Sequence, residues 1–399
     1  MINLSFKKSC AACLALLVVA TPASAETNPY YFGGAQAFNQ ISNVFRQAFA
    51  PSNDTLASTS LLAGLDQKIG RQRLFVDGSL QSNRYRSNTA LNNQGYSLKA
   101  GLDWATLERL SGAVDVNASN ALADYNVGSN LIPIFKRNIE RNRQYHGLFR
   151  LGLVTRYSLE ANLMRRERNF SAAEYAQLES RQDSASLGLS YKPSAALALG
   201  VAARHTSGVF PNYPLLFAGI LVGSAEDKYQ RDDIDLTTEL TASGASKVAA
   251  RLSRGKSSHS LSYERNFSGI TGVINWTWQP SAKLNLSTQL LHDTGQEILV
   301  AGVNQNRIVS ALQVTANYDL TGKVMLNAGA NISHGDYTYP NINTLNFDNV
   351  TSVNLGARWV YSRGMTFGCQ GKHNSRSNST PQYGYSAGSL GCYAQGLLY

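Results

Sequence analysis

YSLKAGLDW, residues 96–104, sets Leu98, Ala100, Leu102 and Trp104 on alternate positions and puts Lys99 and Asp103 between them. In an extended chain successive side chains point to opposite faces, so this is a strand dividing two unlike media, one apolar and one able to solvate charge. A soluble sandwich offers a core and water; an outer-membrane barrel offers lipid outside and a wet lumen inside.

The choice between them comes from repetition. The same alternation returns at intervals near twenty residues, for example in RLFVDGSLQ (73–81), HGLFRLGLVT (146–155), SASLGLSY (184–191), KVAARLSR (247–254), GVINWTW (272–278) and GSLGCYAQGLLY (388–399). Between residue 60 and the C-terminus 17 such segments can be marked, with no helical stretch and no change of composition, which reads as one all-β domain. Their connections alternate in length. QKIGRQ, KPSA, SGAS, QPSA and LTGK are short, whereas 120–145, 206–231, 292–307 and 334–350 are long. Short turns at one end and long loops at the other are the arrangement of an outer-membrane barrel, with the turns in the periplasm. Under that rule the strand at 58–67 descends from outside and needs an ascending partner, which residues 30–45 supply. The expectation is thus an antiparallel up-and-down barrel of 18 strands, an even number with both termini in the periplasm.

Composition agrees. Tyr outnumbers Phe (20 against 14), and Trp104, Trp276, Trp278 and Trp359 stand at strand ends, as in the aromatic girdles of the membrane boundary. The opening residues, MINLSFKKSCAACLALLVVATPASA, read as a secretory signal, with Lys7 and Lys8, an apolar run and Ala23-Ser24-Ala25 in order. Residues 1–25 are expected to be cleaved, leaving 26–399 as the barrel, exported to the outer membrane and in contact with its lipids. Losing those two lysines lowers the net charge from +10 to +8. No basic run accompanies that charge, so nucleic acid is not an expected partner. Cys369 and Cys392 remain after cleavage and, in an oxidising compartment, are expected to pair.

The phase opposite the large apolar residues gives the expected lumen lining. It comprises Asp77, Lys99, Asp103, Asp115, Arg150, Glu160, Arg166, Arg204, Asp235, Glu239, Lys247, Arg251, Lys283, Asp319 and Arg358. A barrel of this strand number is wide enough for an aqueous channel unless something fills it. Catalytic chemistry is not expected. The six histidines, His146, His205, His259, His292, His334 and His373, show no metal spacing, and neither a GxSxG nor a phosphate-binding loop occurs. No catalytic residue, cofactor or metal is assigned.

IGRQRL (69–74), NNQGYSLKAGLDW (92–104) and ERLSG (108–112) resemble the outer-membrane β-barrel proteins of exopolysaccharide biosynthesis loci, the EpsL and VpsM-like group of β-barrel porins. The resemblance covers residues 28–125 and beyond them is one of architecture. It implies a conduit carrying an exopolysaccharide chain across the outer membrane, beside a periplasmic polysaccharide-export protein and inner-membrane synthesis proteins. The alternative that the residues themselves leave open is a general or small-sugar diffusion porin.

Overall fold

The structure, a computed structural model, describes residues 28–106, 109–125, 134–154, 156–217, 220–261, 263–294, 307–339, 342–379 and 381–399. The expected signal sequence lies outside these. Alternating residues build β1 (Tyr30–Ile41), β2 (Asp54–Ile69), β3 (Gln72–Tyr85), β4 (Asn93–Ala105), β5 (Leu110–Leu122) and β6 (Ile139–Val154). They continue through β7 (Tyr157–Phe170), β8 (Ser180–Tyr191), β9 (Leu197–Phe217), β10 (Ile220–Ser243), β11 (Ser246–His259) and β12 (Phe267–Ser281). The last are β13 (Leu284–Thr294), β14 (Arg307–Asp319), β15 (Val324–Tyr339), β16 (Ile342–Ser362), β17 (Met365–Asn378) and β18 (Tyr385–Leu398).

Each strand pairs antiparallel with its neighbours in the chain, and β1 closes on β18 from Phe32 opposite Leu398 to Ile41 opposite Ser389. The sheet is therefore a closed 18-stranded barrel without an edge to expose. The short connections fall between β2 and β3, β4 and β5, and onward in alternation to β16 and β17. Among the described residues no helix is long and apolar enough to cross a membrane.

Register identifies the two faces. On β4, Leu98, Ala100 and Leu102 stand opposite Gly78, Val76 and Leu74, while Lys99 stands opposite Asp77 and Asp103 opposite Arg73. The outward phase holds large apolar side chains that are far from buried, among them Leu61, Leu80, Leu163, Leu187, Leu252 and Leu355. Water would penalise such a surface, and lipid would not. Near the short-turn end this face carries an aromatic girdle. Trp104 meets Phe149, Tyr157 stacks on Tyr191, Trp276 stacks on Trp278, and Trp359 packs with Tyr361 and Phe367.

Two expected long loops are strand instead. Residues 206–231 and 334–350 lie mainly in the β9–β10 and β15–β16 hairpins, whose strands run to 21, 24, 16 and 21 residues and stand above their neighbours. FPNYPLLFAGILVG hid this, because its prolines and unbroken apolar run obscure alternation. Register shifts between Ala225 and Asp227 and between Leu221 and Gly223 absorb the irregularity. The segment 120–145 is partly strand as well, and 295–306 lie outside the described residues. The first strand is shorter than expected, ending at Ile41, and the chain leaves the wall there. Cys369 and Cys392, directly opposite on β17 and β18, form a disulfide on the outward face.

Candidate functional site: a charged lumen under a capped mouth

Two structures occupy the loop end of the barrel. One is an apolar core built by loops. Val44 and Phe45, in the segment joining β1 to β2, pack with Tyr85, Leu91, Tyr125, Ile134, Ala172, Tyr175 and Leu178. Phe45 meets Tyr125 and Phe135 edge to face, with ring centroids 5.2 and 5.1 Å apart. The members come from the end of β3 and from the loops that follow β1, β3, β5 and β7, so a small hydrophobic core ties four loops together at one side of the mouth. Polar contacts pin it. Arg46 bridges to Asp124 at 2.7 Å, and Lys136 bridges to Glu174 at 2.7 Å. Asn43 donates to the carbonyls of Gln47 and Ser386, and the backbone turns at Asn43, Arg46 and Ala50 take positive φ. Burial raises the Tyr125 phenol above the ordinary tyrosine range, with Tyr85 and Tyr175 adding to the effect. Burial would lower Arg46, but Asp124 and Tyr385 outweigh it and its pKa is raised.

The other structure is ionic. Arg204, on β9, donates to Asp235 at 3.0 Å and reaches Asp233 at 3.1 Å, both on β10. Arg231 donates to Asp233 and to Asp293 of β13, each at 3.0 Å, and also to Thr271 and Thr294. Arg251 of β11 stands 3.9 Å from the other oxygen of Asp293. Asp235, Arg204, Asp233, Arg231, Asp293 and Arg251 thus form one chain of six alternating charges. Arg231 is 1% exposed and lies over the Phe267 ring. Charges so deeply buried persist only when paired and hydrogen-bonded, which these are. Gly255 faces Asp233 from β11, and a β-carbon there would collide with that carboxylate.

Below and beside this chain lies a cavity of about 780 Å³ lined from β6 to β15 by His146, Glu160, Arg166, Arg204, Asp235, Arg251 and by Gln289, Gln313 and Asn331, among others. A second cavity of about 410 Å³, on β3 to β8, adjoins it at Gln144 and Arg166 and contains Asp77 and Lys99. Their walls combine paired charge with amide and hydroxyl groups. His146 contacts Asp115 at 2.7 Å, Arg150 donates to Glu160 at 2.7 Å, and Arg166 donates to Gln144 at 3.1 Å.

All the sequence-derived lining residues fall on the inward phase of their strands or at its turn end, but the structure separates them. Glu160, Arg166, Arg204, Asp235 and Arg251 converge on the larger cavity, where the structure adds His146. Asp115 and Arg150 brace the wall beside it through His146 and Glu160. Asp103 belongs to a cluster with Arg73 and Asp66, and Asp77 accepts a hydrogen bond from Tyr31. Glu239, Lys247, Lys283, Asp319 and Arg358 lie exposed towards the short turns. Arg231 and Asp293, two of the most buried charges, fall in the expected loops 206–231 and 292–307 and so escape the sequence-derived lining, whereas Asp233 lies in the marked strand DIDLTTEL, on the same phase as Asp235, and was left out of it. Arg168 with Glu140, and Arg376 with Asp348, were missed in the same way at strand ends. Among the described residues no three His, Cys, Asp or Glu side chains gather in a way that could hold a metal ion.

No known family profile matches the chain, and no curated protein matches it. Solved structures do. The outer membrane protein opdK from Pseudomonas aeruginosa is 13% identical, with a TM-score of 0.46 over 92% of this chain and 98% of that one. OccK2 (OpdF) of the same organism, solved with glucuronate, is 10% identical, with a TM-score of 0.47 over 93% of this chain and 98% of that one. OccAB3 of Acinetobacter baumannii is 10% identical, with a TM-score of 0.43 over 92% and 98%. By its own strands the chain is a closed 18-stranded antiparallel β-barrel with an apolar outward face.

The expectation of an exopolysaccharide conduit is corrected. A sliding polymer needs an open bore, whereas a loop core roofs one side of the mouth and a buried ionic chain occupies the other.

Proposed function

We propose that the protein is a non-enzymatic diffusion channel that admits small polar solutes across the outer membrane. The observation that carries this reading is the 780 Å³ cavity lined by paired charges and amides under a partly roofed mouth. Its volume lies within the range of roughly 300–1,000 Å³ typical of small-molecule sites. Because Arg204 and Arg251 face carboxylates and Arg166 donates to Gln144, a passing solute exchanges weak hydrogen bonds with the wall and is not held by a bare charge.

Selection is then mainly by size. On this reading the chain reaches the membrane by the N-terminal signal, which is removed. Purified protein in liposomes tests the function through swelling rates. Monosaccharides and amino acids are expected to enter readily and oligosaccharides to be excluded. Equal permeation by long dextrans, or no permeation by any solute, would refute it.

A further inference from the structure

We infer that the outward face of β6–β8, just above the apolar belt, is a docking surface for phosphate-bearing lipid headgroups of the outer leaflet. Four arginines, Arg141, Arg143, Arg165 and Arg181, share the outward phase of three adjacent strands and are exposed. Arg143, Glu167 and Arg181 occupy one register line, and Tyr145, Arg165 and Asp183 the next line towards the turns. Glu167 contacts Arg165 at 2.9 Å and Arg143 at 4.0 Å, and Asp183 lies 3.8 Å from Arg165. Those two carboxylates hold the centre of the patch together and leave it net positive. Among the described residues Arg141 and Arg181 make no ion pair.

The height of the patch identifies the partner. Below it the same strands present Leu163 and Ala185, then Phe149 and Leu187, then Leu151, Leu159 and Leu189, and finally the stacked Tyr157–Tyr191 pair of the girdle. From Tyr157 to Arg165 is eight residues, about 26 Å along a strand and about 20 Å along the membrane normal at the usual tilt. The apolar band of such barrels is about 25 Å tall. Arg165 therefore stands just inside the upper limit of the hydrocarbon, and Arg143 and Arg181, two residues further out, stand at that limit, about 25 Å above Tyr157, where arginine is tolerated and lipid phosphates lie. Guanidinium matches phosphate with paired hydrogen bonds, and the desolvated boundary strengthens them.

The inference rests on the outer-membrane placement and is independent of channel activity. It is tested with the full-length protein reconstituted in phosphatidylcholine vesicles with and without lipid A, then extracted and weighed by native mass spectrometry. The wild type should retain lipid A through washing, and R141Q/R143Q/R181Q should retain about tenfold less or lower. The matching lysine variant should recover part of it, and high salt should weaken retention. Solute entry should be unchanged in the triple variant, which also checks that it is folded. Equal retention by both proteins would overturn the inference. So would a wild-type oligomer that the variant loses in the absence of lipid A, which would make the face a contact between copies. Retention of lipid A by a wild-type protein that passes no solute would support this surface while sinking the channel reading.

Discussion

Arg231 shows how differently a charge behaves in this lumen from one at its rim. It donates to Asp233, Asp293, Thr271 and Thr294 with almost no contact with solvent, so removing it breaks the ionic chain at its middle, leaving Asp233 to Arg204 and Asp293 to the more distant Arg251. Arg231→Ala should cost about 3–5 kcal/mol, the usual consequence of orphaning a buried ion pair. The loss would be read as a lower temperature for heat-modified migration on gels. Arg73, exposed and paired with Asp66, should cost far less when replaced by alanine, because solvent screens that pair. Gly255→Val should mimic the loss of Arg231, because the new side chain displaces Asp233 from its partner; a variant as stable as the wild type would contradict the close approach. At this scale the sequence disclosed which face each charge takes, because a period of two is a local property. Pairing was hidden, since Arg231 and Asp293 are 62 residues apart and meet only through the register of four strands.

If the barrel is a channel, as proposed, the segment between β1 and β2 is the element whose loosening should change permeation. Phe45→Ala removes its buried anchor at a cost of about 3 kcal/mol, enough to raise the open fraction of that loop about 100-fold. Single-channel conductance should rise and its size limit relax, with the barrel's own unfolding temperature little changed. The same core makes the mouth sensitive to alkali. Tyr125 donates to the Lys136 carbonyl and has a raised folded-state pKa, so its contribution is complete below the ordinary tyrosine value near 10 and fades as pH climbs beyond it. Conductance should therefore step up in strong alkali, and Tyr125→Phe should blunt that step. None of this element was legible beforehand. Val44 and Phe45 continue the apolar alternation of β1, and the residues that draw them inward, Tyr125 and Tyr175, sit on loops far along the chain.

For the whole molecule, strand number, direction and closure could be read from the sequence, because loop-length parity and alternation are repeated in hairpin after hairpin. What the barrel transports could not. The short N-terminal motifs suggested an export apparatus, whereas width depends on what fills the bore, and that is set by tertiary contacts such as Arg204 with Asp235 and Phe45 with Tyr125. A barrel lumen with its mouth roofed on one side should also conduct less than an unobstructed tube of equal strand number. Planar-bilayer recordings of the wild type beside a variant lacking residues 43–52 would show this, with equal conductance refuting the roof.

The disulfide on β17 and β18 has a bearing on how such a wall keeps its alignment. The hairpin that carries it is rich in glycine, with Gly368, Gly371, Gly388, Gly391 and Gly396, and so has few side chains to oppose sliding. A slip of two residues keeps every side chain on its proper face, so lipid and lumen exert no veto on it. The bond between Cys369 and Cys392 does: it works as a pawl, allowing one alignment of the final hairpin and fixing the height at which β18 presents itself to β1.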